Sequence, residues 1–184
     1  MRETAIQRLV MKFLLTGLVG LSLFATAAVA DVSRFAGSYS GSADIPNAEG
    51  APVPRDMSVE IFETSDGGFA VEWHAVTRRE GGNSTATYQI EFRPTERPGI
   101  YATAMGRDVF GNAVQLDPMK GEPFVWARLA GDTLTVYSMT VEDSGGYDLQ
   151  QFDRTLTEGG LDLRFQIVRN GEVSRSVETF LERQ

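Results

Sequence analysis

The chain has 184 residues, 25 acidic against 17 basic, for a net charge near −8. An acidic surface of this kind repels phosphate backbones and anionic bilayers, so nucleic acid and lipid headgroups are excluded as natural partners. There is no cysteine and a single histidine, which removes disulfides, thiolate catalysis and cysteine-based metal centres.

The first 30 residues read as an address. Met11-Lys12 is followed by the twelve apolar or small residues FLLTGLVGLSLF, then by ATAAVA and Asp31. This order of basic, apolar and small-residue regions is that of a secretory signal peptide cleaved after Ala30. Its apolar core is shorter than the ~20 residues a membrane helix needs. The expected organisation is a 1–30 leader and a single domain over 31–184, periplasmic or secreted, soluble and without stable membrane insertion after cleavage. That domain would carry 14 basic and 24 acidic residues, with Lys120 as its one lysine.

After residue 34 the sequence alternates with period two, the signature of strands with one face inside and one outside. Strands are expected at 35–45, 57–62, 69–76, 86–93, 100–105, 124–129, 133–141, 147–156, 161–169 and 173–181. Turn residues punctuate them. Asp66-Gly67-Gly68, Gly131-Asp132, Gly159-Gly160 and Asn170-Gly171 all suit tight hairpins, because Gly and Asn tolerate positive φ. The acidic stretch 143–148 reads as another hairpin turn, since it lacks the spacing of a calcium loop. No helix is expected after the leader. The exception to the alternation is GRDVFGNAVQLDPMKGEP, residues 106–123, an apolar-rich connection read either as packed core or as a lid over a ligand. Sequential hairpins favour an antiparallel up-and-down order, and closing it removes the exposed sheet edges.

The Gly37-Ser38-Tyr39 opening, followed by some 150 residues of hairpins, resembles the calycin group, which includes lipocalins and fatty-acid-binding proteins. The chain is similar in the same coarse sense to other exported bacterial proteins. Lipocalins open on Gly-x-Trp and set a basic residue of the last strand against that tryptophan; here Tyr39 and Arg175 stand in those roles. The middle lipocalin motif has no match, and the Pro-, Gly- and Asn-rich segment 44–55 argues against the helical lid of the fatty-acid-binding shape. The resemblance implies an all-β, lipocalin-like antiparallel up-and-down barrel of about 8–10 strands that binds a small apolar or amphipathic ligand in the cell envelope.

Two arginines fall out of phase with the apolar alternation, Arg128 in the set with Phe124 and Trp126, and Arg175 in the set with Val173 and Val177. An inward arginine needs a partner, and a ligand's acid group would serve. The expected ligand-binding residues are Tyr39, Trp73, Phe110 and Trp126 as walls or lid, with Arg128 and Arg175 as anchors. No catalytic residue, metal ligand or cofactor is assigned. A solid barrel acting through its outer surface as an envelope accessory or inhibitor, a small outer-membrane barrel, and an enzyme using His74 are the competing readings.

Overall fold

The computed structural model describes residues 31–47, 50–78, 81–103, 106–107, 113–114 and 116–184. The leader and Phe110 lie outside the described residues. A 3-10 turn, Val32–Phe35, leads into β1 (Gly37–Pro46), β2 (Pro52–Glu63), β3 (Phe69–Thr77), β4 (Ser84–Pro94) and β5 (Ile100–Thr103). Two short strands, β6 (Gly106–Arg107) and β7 (Ala113–Val114), pair with each other apart from the main sheet. After the 3-10 turn Pro118–Lys120 come β8 (Phe124–Ala130), β9 (Thr133–Val141), β10 (Tyr147–Thr157), β11 (Gly160–Arg169) and β12 (Glu172–Arg183).

Ten of these strands close into an antiparallel barrel in chain order, with β12 returning to β1 and β8 following β5. Each of the ten expected strands is present, and segment 44–55 forms the β1–β2 hairpin. Asn170, at φ 50, and Gly171, at φ 90, make the tight turn between β11 and β12 that the dipeptide predicts.

The ladders are uneven. β10 pairs with β11 from Asp148↔Arg169 to Thr157↔Gly160. At the seam, β1 meets β12 only at Tyr39↔Arg183 and Ser40↔Glu182. On the far side, β4 meets β5 only at Phe92↔Thr103, Arg93↔Ala102 and Pro94↔Tyr101. β5 in turn meets β8 only at Ile100↔Arg128, Tyr101↔Ala127 and Ala102↔Trp126, and all three short ladders lie at the same end, so among the described residues the barrel is laced there and these strands are unpaired towards the other, splayed end. An eight-stranded barrel is just wide enough for its own side chains to fill, so ten strands need a plug wherever they are to be solid. The laced end has one. Phe35, Tyr39, Phe69, Phe92 and Tyr101 are buried there; Phe69 stacks on Phe92 at 4.9 Å and meets Tyr101 edge-on at 5.0 Å.

Arg183 clasps this end. Its guanidinium lies 4.8 Å above the Tyr39 ring and donates to Tyr39 Oη at 2.6 Å, to Ala36 O at 2.9 Å and to Arg34 O at 3.3 Å. Tyr39 Oη donates onward to Phe35 O at 2.8 Å. The cation expected at Arg175 to pack on the first-strand aromatic is therefore supplied by Arg183. Arg175 is exposed towards the splayed end, opposite Ile167. Gly41 lets the seam form, because a Cβ there would run into the Phe180 carbonyl.

Burial holds the Tyr39 phenol above its ordinary value of 10.0, with Arg183 opposing. The folded state keeps this proton more tightly than the unfolded chain, so its contribution is complete below pH 10 and is lost as pH rises through the raised value. Arg183→Met should cost about 1–3 kcal/mol by removing charge-assisted hydrogen bonds. Tyr39→Phe should cost a similar ~1–2 kcal/mol and also remove its share of the alkaline loss of stability. Urea melts at pH 7 and pH 11 test both; unchanged midpoints would mean the clasp does not hold the seam.

Candidate functional site

Above the plug the barrel encloses a cavity of about 450 Å³. Met57 and Val59 of β2, Trp73 and Ala75 of β3, Tyr88 and Ile90 of β4, Val136 of β9, Phe152 of β10 and Phe165 of β11 line it. These are the inward sets of strands whose other faces are polar, so period-two patterning places them. An aromatic chain crosses the lumen. Trp73 stacks on Tyr88 at 5.3 Å, approaches Phe152 from the opposite wall at 6.1 Å, and Phe152 meets Phe165 at 4.6 Å. Tyr88 is 56% exposed and marks the mouth. Pro123, at the end of the 106–123 connection, also borders the cavity.

Two arginines enter this apolar space. Arg154 follows Phe152 on the inward set of β10 and is only 4% exposed. Among the described residues its Nε and Nη1 have no hydrogen-bond partner, and its guanidinium sits 5.6 Å from the Phe152 ring centre. Burial lowers its pKa to about 10, with neighbouring Asp153 opposing, which leaves it cationic at neutral pH. Arg55, on the inward set of β2 with Met57 and Val59, also has a buried Nε without a partner. Among the described residues that line the cavity there is no carboxylate.

Of the residues expected to bind ligand, the structure puts Trp73 in the cavity wall. Tyr39 is below it, in the plug. Trp126 and Arg128 are on the outer face, because β8 turns Val125, Ala127 and Leu129 inward. Trp126 stacks on Tyr137 outside at 4.8 Å, and Arg128 borders a polar outer groove with Thr135, Asp153 and Glu178. Both faces of β8 are apolar, so its composition does not choose between them, and pairing decides. Val125 lies across from Ser138, Ala127 from Val136 and Leu129 from Leu134, all on the inner wall.

Arg154 and Arg55 escaped the sequence reading although the same signal marks them. Arg154 interrupts an inward set with Phe152 and Leu156, and Arg55 one with Val53, Met57, Val59 and Ile61. His74 lies on the outer face, its Nδ1 2.8 Å from Thr87 Oγ1 and its Nε2 3.0 Å from Glu72 Oε1. Among the described residues no group of three or more His, Asp or Glu side chains is placed to hold a metal ion. No protein-family model and no curated protein matches the sequence.

His74 borders the cavity, but its ring nitrogens are engaged by Thr87 and Glu72, so His74→Ala should leave binding of an apolar fluorophore such as N-phenyl-1-naphthylamine within about twofold of the parent, a change under ~0.5 kcal/mol. A larger loss in a fluorescence titration would put the outer Glu72–His74–Thr87 chain in communication with the lumen.

Proposed function

We propose that this protein is an exported carrier that binds one small, largely apolar ligand inside its barrel. The observation that supports this best is the apolar, aromatic-lined cavity of about 450 Å³ in the splayed half of a barrel whose other half is solid. Cavities of ~300–1,000 Å³ with apolar walls and few polar groups are the usual form of small-molecule sites. The Gly37-x-Tyr39 opening, the 3-10 turn before it and the Arg183 clasp support a lipocalin-like reading of the barrel. The leader supports delivery to the periplasm or the exterior.

The outer face favours an aqueous setting over a bilayer. Exposed Glu60, Asp162, Arg164 and Glu178 occupy outward positions, where a membrane barrel carries an apolar band. One outer feature favours a second reading, action through a protein-binding surface: the Phe124–Trp126–Tyr137 pile on β8 and β9, with Trp126 5.4 Å from Phe124.

The carrier reading predicts saturable binding of N-phenyl-1-naphthylamine at one site per chain. Ala75→Trp fills the lumen and should weaken this binding at least tenfold, about 1.4 kcal/mol, while Trp126→Phe should not change it. Absence of saturable binding to delipidated protein, or equal binding by Ala75→Trp, would remove the carrier reading and leave the outer surface as the place of action.

A further inference from the structure

The cavity's charges are unbalanced. A buried cation without a counterion is costly, and native interiors retain one only where something offsets that cost. Asp153, next to Arg154 in sequence, does not serve. Its carboxylate is outside, accepting from Thr135 Oγ1 at 2.7 Å and Gln151 Nε2 at 2.8 Å. Arg154 is also deep. Its ladder neighbours are Leu134 and Leu163, both buried, and the residue two further along its inward set is Leu156, packed on the core. Arg55 lies on the other side of the lumen, nearer the mouth, six residues from plug-end Ile61 and close to the β1–β2 turn.

We propose that the cavity takes an amphiphilic organic anion acid-first, with the acid group on Arg154 beneath Phe152 and the apolar part against Trp73, Tyr88 and Phe165. This rests on the carrier reading above and names the ligand class for it. The partnerless Nε and Nη1 of Arg154 lie on different edges of the guanidinium, and each forms a planar fork with Nη2 that matches the paired oxygens of a carboxylate, sulfate or phosphate monoester. Arg55 supplies a second cation that attracts the anion past an otherwise acidic surface and remains beside its path. Phe152 and Trp73 meet across the lumen at 6.1 Å, so the entering acid group passes beside this contact, and Trp73 reports the event.

The cost of the empty site gives a test that a merely structural arginine would fail. Arg154→Met keeps most of the volume and removes the buried charge. In the ligand-free protein it should raise the melting temperature by a few degrees, at ~2–4 °C per kcal/mol for a domain of this size. A structural Arg154 would instead lower it.

Binding is read by displacement of N-phenyl-1-naphthylamine from delipidated protein with decanoate, decyl sulfate, decyl phosphate and decan-1-ol. The anions should displace the probe at concentrations at least about tenfold below decanol, and Arg154→Met should erase that preference while still binding the neutral probe. Arg154→Lys, which keeps the charge but not the fork, should retain part of it. The order among the three anions identifies the headgroup. Equal displacement by decanol and the anions in the parent protein, or an undiminished anion preference in Arg154→Met, overturns the acid-first site while leaving the carrier intact. Failure of the neutral probe to bind the parent protein overturns both. If Arg154→Met does not fold, the decanol comparison in the parent protein decides alone.

Discussion

Closure of the sheet at one end is the constraint on which everything else depends. β1 and β12 share only two residue pairs, and the chain compensates at that point with side-chain chemistry. Arg183 bonds the backbone of the 3-10 turn, the Tyr39 hydroxyl and the Tyr39 π-face together. A ladder this short supplies few backbone hydrogen bonds, so a charged donor with several acceptors does what strand pairing does elsewhere. The 3-10 turn held by this clasp carries Phe35 into the barrel end, and Phe35, Tyr39, Phe69, Phe92 and Tyr101 fill the width that ten strands create.

Lacing at one end permits splaying at the other. The β1–β12 ladder stops at Ser40↔Glu182, with Thr179 Oγ1 still reaching Ser42 O, and β5 ends at Thr103, so towards the other end the described sheet is no longer paired all the way round. Trp73 and Phe152, from opposite walls, still touch, and the cavity extends around that contact. Solid plug and open lumen are thus two consequences of the same uneven pairing. The Asp148–Arg169 pair closes the β10–β11 ladder at the splayed end, with Nη2 2.6 Å from Oδ2, and Arg169 holds the Asp148 carboxyl below its ordinary value. That hairpin keeps its register where the seam beside it has lost its pairing.

The lumen is also where packing alone does not account for the side chains present. Most inward positions in the described barrel could be chosen for packing alone. Arg154 could not, since a hydrophobic residue of similar volume would spare the fold a buried, partnerless cation. Violations of packing logic are expected at functional sites, where the interaction that offsets them is supplied by something other than the chain. The outer charges obey the opposite rule. Arg78 with Asp56, Arg164 with Glu178 and Arg34 with Asp132 are exposed pairs that serve solubility more than stability.

Strand count, strand positions, hairpin turns and the all-β antiparallel order were legible in the sequence. Period-two alternation and Gly/Asn turn chemistry are local, and here each local preference agreed with the barrel. The inward sets of β3 and β4 were legible for the same reason, because one face is apolar and the other polar. The sequence signal for a candidate binding cation, an arginine interrupting an apolar set, matches several positions. It marked Arg128, which faces water because β8 is apolar on both sides and its facing is set by pairing with β9. It applied equally to Arg154 and Arg55, whose importance comes from what surrounds them.

The basic residue that packs on Tyr39 is Arg183 and not Arg175, eight residues earlier on the same strand, since only the register of β12 against β1 brings a cation to that ring. The sequence by itself determined which residues are strands and which face of most strands is apolar, because both follow from neighbours along the chain. Tertiary structure alone decided where the barrel is laced, where it is hollow and which arginine lacks a partner. Those depend on pairing register and on residues far apart in sequence meeting across a lumen.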